Sequence, residues 1–218
     1  MTTPRHHAPS LFAISLVYGG MVVLAGVLGF KQVALGPLAV EAGIFAFLLL
    51  VVLSSAVAEL HGRALANRLV LWGFVPLALS VALIGLVLVL PESAEMAPEN
   101  LAAFETVLGQ VPRIMLAGPV AYGVSMFLNV YLFDRLRGAI GQGTGIAVML
   151  RGGIAGALSQ AVDTLIFITV AFYGLFPIRD LLIGQMLAKV VFSLVAVPLL
   201  IQLVVGFGRS LDRRGQKA

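Results

Sequence analysis

Six apolar stretches, each about as long as a bilayer is thick, constrain this chain more than anything else in it. A helix needs roughly 20 apolar residues to cross a hydrocarbon core about 30 Å thick. Backbone polar groups in hydrocarbon must be satisfied within the segment, so such stretches can only be helices. They are Leu11–Phe30, Gly43–Glu59, Leu69–Leu90, Ile114–Phe133, Gly152–Tyr173 and Leu181–Phe207. The expected fold is an all-α integral membrane bundle of six transmembrane helices, forming one domain over residues 1–218. The first stretch is too long for a signal peptide and lacks a clean cleavage site, so it counts as a span.

Charge placement sets the expected orientation. The chain is 60% hydrophobic and only 11% charged, against about 25% charged in an ordinary soluble domain. Its pI of 9.9 does not signal nucleic acid, because the charges flank the spans. Ten Lys and Arg residues fall on the side of both tails and of the loops after spans two and four, from Arg5 and Arg63 to Lys217. Lys31, Arg113 and Arg179 fall on the other. Cytoplasmic loops carry the basic excess, so both termini are expected in the cytoplasm. Residues 31–43, KQVALGPLAVEAG, are apolar enough to form a re-entrant segment after the first span, and an ordinary tight external loop fits them equally. Pro91–Pro112 reads as the longest loop.

Absence of cysteine removes disulfides and thiolate chemistry. His6, His7 and His61 show no metal-ligand spacing, so no metal site is expected. A phosphate-binding GxxxxGK[ST] loop and a GxSxG elbow are both missing. The chain reads as a non-enzyme that needs no cofactor.

What stands out is an acid inside a span. Asp163 sits mid-way along SQAVDTLIFITVAFYG, residues 159–174. A carboxylate at the bilayer centre costs about 2.5–3.5 kcal/mol on insertion scales, and such residues face a bundle interior or a cavity with a partner. Gln160 and Phe167, at i−3 and i+4, share its helix face. Lys189 in the last span is the expected partner, with Gln185 one turn earlier. Helix rise puts Asp163 roughly 18 Å from the cytoplasmic end of its span and Lys189 roughly 12 Å from the external end of its own. In a core of about 30 Å those depths meet. Tyr122, Ser125 and Asn129, at i, i+3 and i+7, add a polar face from the fourth span. Ser55 and Glu59 lie near the cytoplasmic end of the second and are candidates for gating or coupling, although Glu59 reads first as an interfacial acid pairing with Arg63 at i+4. Trp72 is expected as an interfacial anchor. An acid, a base, amides and aromatic rings in one midplane site suit a polar planar substrate, with a plain helix-locking ion pair as the alternative.

SQAVDTLIFITVAFYG, followed by QMLAKVVFSLVAVP with Lys189 and Pro198, resembles the queuosine-precursor transporter family. That family is part of the vitamin-uptake-transporter group of six-span bacterial inner-membrane proteins. The resemblance extends through residues 111–137 and 54–70 and covers about residues 44–205. It implies import of 7-cyano- or 7-aminomethyl-7-deazaguanine for tRNA modification salvage, with Asp163 and Lys189 matching the family's intramembrane acid and lysine. Asp163 would then accept from the N1–H and exocyclic amine of the base, and Lys189 would donate to its carbonyl. Gln160 and Gln185 would add hydrogen bonds, and Phe167 or Phe172 a stacking face. Ser55 and Asn129 stand where relatives often carry aspartate. The partners implied are a nucleobase-like small molecule and the lipid bilayer, with a homodimer as an open arrangement. The alternative reading is the substrate-binding membrane subunit of an energy-coupling-factor transporter, which would also require an ATPase module.

Overall fold

The computed structural model describes residues 8–140, 146–175 and 177–215, with the side chains of 126, 129–130, 133–134 and 137–152 excepted. Among the described residues, six long helices and one β-hairpin follow one another. Helix α1 runs Pro9–Leu28, β1 Gln32–Leu35, β2 Leu38–Glu41, α2 Gly43–His61, α3 Arg63–Val89, α4 Pro98–Ile140, α5 Ile146–Phe172 and α6 Arg179–Gly215. Among the described residues, α1, α2, α3, α5 and α6 are each long and apolar enough to cross a membrane. The fourth expected span lies within α4.

Large hydrophobic side chains cover the outward faces of these helices as well as much of their inward faces, as expected where the surrounding solvent is hydrocarbon. Their outward positions are large and greasy: Phe12, Leu79, Leu83, Leu199, Leu203 and Phe207 are all more than 60% exposed. So is Trp72, which points away from the bundle. A water-soluble monomer rarely carries so continuous an apolar surface. The chain is a multi-pass membrane protein.

Residues 31–43 form a β-hairpin. Gln32 pairs with Glu41 and Leu35 with Leu38, leaving Gly36-Pro37 as the two-residue turn. Gly36, at φ 60°, takes the left-handed position at the first central residue that such a turn requires. The second strand packs into the bundle, with Val40 wholly buried among Ile44, Leu48 and Ala188. Gly184 of α6 makes this approach possible, because a Cβ there would collide with the backbone carbonyl of Ala39.

The expected loop Pro91–Pro112 is mostly helix: irregular structure ends at residue 97 and α4 starts at Pro98. Proline at the first helical position, Glu99 in the first turn and good helix formers after them explain the difference. Pro76, Pro112, Pro119 and Pro198 all lie inside helices. Gly26 packs within the chain against Met115.

One end of the bundle is stitched by a polar trio. The Ser10 hydroxyl donates to Asp212 Oδ2 at 2.8 Å, its backbone N–H donates to Oδ1 at 2.9 Å, and His61 Nε2 lies 2.7 Å from the same hydroxyl. Since that hydroxyl has one proton and gives it to Asp212, His61 Nε2 is the donor to Ser10. The trio joins the start of α1, the end of α2 and the end of α6. This is the basic end; the hairpin closes the other.

Candidate functional site

The last two helices bring the acid and base together. Lys189 Nζ donates to Asp163 Oδ2 at 2.6 Å, and both residues are 2% exposed. The Ser125 hydroxyl of α4 reaches Asp163 Oδ1 at 3.2 Å. Lys189 also stands 4.2 Å from the centroid of the Phe47 ring and 5.9 Å from that of Phe167. A ring face attracts a desolvated ammonium by about 2 kcal/mol. The pair is therefore held from four helices: α2, α4, α5 and α6.

Gln185 is fully buried, and its amide is spent on a residue that sequence reasoning missed. Its Nε2 donates to Glu41 Oε1 at 2.7 Å, and its Oε1 accepts the Glu41 backbone N–H at 2.9 Å. Glu41 Oε2 in turn accepts the Gly43 N–H at 2.6 Å. The hairpin thus places a second carboxylate, 3% exposed, in the bundle. Among the described residues, its carboxylate accepts from neutral donors. The signal was in the sequence: Glu41 is a lone acid in an apolar stretch, the same feature that marks Asp163.

Glu41, Asp163 and Lys189 line one cavity of about 90 Å³, room for several water molecules. Its other walls are mainly apolar and aromatic, with Tyr18, Phe47, Phe74, Tyr122 and Phe167 among them. Tyr122 meets Phe47 edge-on at 5.8 Å and Phe74 at 6.2 Å, and its hydroxyl lies 3.4 Å from that of Tyr18. A few convergent polar groups in an apolar enclosure form the usual layout of a small-molecule site.

The remaining expected residues divide. Phe167 lines the cavity, whereas Phe172 is buried beside it, edge-on to Phe167 at 6.0 Å. Gln160, Ser55 and Ser125 line a separate cavity toward the basic end. Glu59 lines neither, and it pairs at 3.7 Å with Arg209 instead of Arg63. The expected i+4 pair needs one continuous helix, but Gly62 at φ 88° ends α2 and starts α3 between the two. The Asn129 side chain lies outside the described residues.

Two carboxylates and one ammonium, facing an aromatic slot, can hold a flat molecule by complementary edges. A carboxylate accepts two parallel N–H donors, an ammonium donates to a carbonyl, and ring faces cover the plane. Burial strengthens each such bond by removing competing water.

A sequence model of the family described as "Putative vitamin uptake transporter" matches residues 41–203. A protein of Bacillus subtilis (strain 168) named "Probable queuosine precursor transporter" is 33% identical over 144 residues, 64% of this chain. The match spans 61% of that relative's length. No solved structure matches the chain.

Proposed function

The chain belongs to the vitamin uptake transporter family, a family of transporters, and within it we propose that this chain imports queuosine precursors across the bacterial inner membrane. The substrates in this reading are 7-cyano- or 7-aminomethyl-7-deazaguanine, taken up as a six-span bundle with both termini in the cytoplasm. The observation that carries it is the buried Asp163–Lys189 pair, opening with Glu41 onto one aromatic-lined cavity. The name of the Bacillus subtilis relative supports the substrate class.

The chemistry fits such a base edge by edge. Its N1–H and exocyclic amine are adjacent donors, matched to a carboxylate, and its carbonyl is matched to Lys189. Tyr122, Phe47 and Phe167 would cover the ring. Glu41, brought in by the hairpin acting as a re-entrant segment, gives the site a second acid for a further N–H or for a positive substituent. Ser125 and Gln185 act through the carboxylates they bond, Ser125 orienting Asp163 and Gln185 orienting Glu41.

The test is uptake of a radiolabelled 7-deazaguanine base by proteoliposomes holding this chain alone. Saturable uptake, lost in Asp163→Asn at equal incorporation, is expected. Uptake unchanged in Asp163→Asn would overturn the assignment of the site, and no uptake of either base by the intact chain would overturn the substrate.

A further inference from the structure

A second cavity, about 200 Å³, lies toward the basic end of the first and shares Phe47, Val70 and Tyr122 with it. Those shared residues form the wall between the two. Tyr122 is the centre of that wall, held by its ring contacts with Phe47 and Phe74 and its approach to Tyr18.

The polar groups on the two sides differ in kind. The first cavity presents two carboxylates and an ammonium. The second presents hydroxyls and amides from Ser55, Asn67, Ser159 and Gln160, with Arg63 as its charged lining residue and no carboxylate among its described lining. Gln160 is 8% exposed, and its Oε1 is buried without a hydrogen-bond partner. Leaving such an oxygen unpaired costs about 1–3 kcal/mol, which an apolar residue of similar shape would avoid. The terminal torsion of a glutamine is broad and roughly two-fold, so the amide can turn either its oxygen or its nitrogen into the cavity.

We infer that this cavity is a second binding site, of lower affinity, for a planar base carrying a lactam edge. The base occupies it after leaving Asp163 and before release at the basic end. This rests on the importer reading of the first cavity. The Gln160 amide pairs with the N–H and C=O of the lactam, and neighbouring hydroxyls serve its remaining polar atoms. Affinity is lower because hydrogen bonds between neutral groups are about half as strong as those to an ionised partner. Gln160 stands one helical turn from Asp163 on α5, about 4.5 Å along the axis. A small displacement past Tyr122 therefore hands the base from a charged site to a neutral one. A site that held the base only at Asp163 would bind tightly and release slowly; a weaker station beside it divides that step.

Gln160→Leu tests the inference by separating binding from turnover. Binding of the base to the purified chain is measured by calorimetry, and maximal uptake is measured in proteoliposomes. The dissociation constant is expected to change by less than about twofold while the maximal uptake rate falls about tenfold, a difference of about 1.4 kcal/mol at the barrier. Ser55→Phe, which fills the cavity with bulk, is expected to give the same split, and retained binding shows that either variant is folded. Unchanged maximal uptake in both variants overturns the inference. So does a loss of binding in Gln160→Leu as large as that in Asp163→Asn, which would make Gln160 part of the first site. Absence of both binding and uptake in the unaltered chain overturns the importer reading, and this inference with it.

Discussion

Removing the base from the Asp163–Lys189 pair should destabilise the bundle more than removing the acid. In Lys189→Met, the Ser125 hydroxyl at 3.2 Å is the hydrogen-bond donor left to Asp163 among the described residues, and the acid faces a cavity that also holds Glu41. The Asp163 carboxylate is then desolvated without its cation, beside a second buried carboxyl group. Breaking a buried pair by deleting one partner costs about 3–5 kcal/mol. For a chain of 218 residues, at about 2–4 °C per kcal/mol, that is a fall of roughly 6–20 °C in Tm. In Asp163→Leu the ammonium keeps the Phe47 ring at 4.2 Å, and Glu41 remains in the same cavity to balance its charge. The loss should lie at or below the low end of that range. The double change Asp163→Leu/Lys189→Met removes both charges, and a buried pair replaced by apolar groups of similar volume is often neutral or stabilising. It should recover at least half of the Lys189→Met loss while binding no base. Thermal unfolding of purified variants in one detergent, followed by fluorescence or scattering, reads all three. If Lys189→Met lowers Tm by less than about 2 °C, or if the double variant is no more stable than Lys189→Met, the reasoning about uncompensated charge fails.

Other outcomes follow from the same geometry. Glu41→Gln keeps the shape of the side chain but removes its charge; uptake should fall at least tenfold with Tm within about 4 °C, and unchanged uptake would remove Glu41 from the site. Gly184→Val puts a branched side chain where the Ala39 carbonyl lies, so it should displace the hairpin and abolish both uptake and the Glu41–Gln185 contact. Protease accessibility of residues 31–43 reports that displacement directly. Ser10→Ala removes the hydroxyl bonded to Asp212 and His61; at about 1 kcal/mol per neutral bond and more for the bond to a charge, Tm should fall by roughly 4–10 °C with the affinity for base unaltered.

Much of this arrangement could be read from residue order. Helix length, the basic asymmetry and the shared depth of Asp163 and Lys189 all follow from one-dimensional counting, which works where a bilayer fixes the third coordinate. What escaped depends on non-helical backbone or on contacts distant in sequence. The VEAG stretch read equally as a re-entrant segment or a tight loop and Glu41 drew no attention, although a lone acid in an apolar run is the criterion that singled out Asp163. Its partner Gln185 lies 144 residues away, and nothing local announces that pairing. Gln160 shares the helical face of Asp163 in the i−3 sense, yet it serves a different cavity because Tyr122 and Phe47 partition the space. The expected Glu59–Arg63 pair depended on one helix continuing through Gly62, where the chain instead takes a positive φ. Phe47 and Phe74 were invisible as wall residues because aromatic side chains in apolar spans carry no sign of which way they face.

The most direct measurement of the central claim is the queuosine content of tRNA. The strain would lack both precursor synthesis and its own importer, would express this chain alone, and would be fed each deazaguanine base at low concentration. The account predicts that modification returns with the unaltered chain and is lost in Asp163→Asn and Glu41→Gln at equal membrane expression. Modification restored equally by both variants would contradict it, as would no restoration by the intact chain.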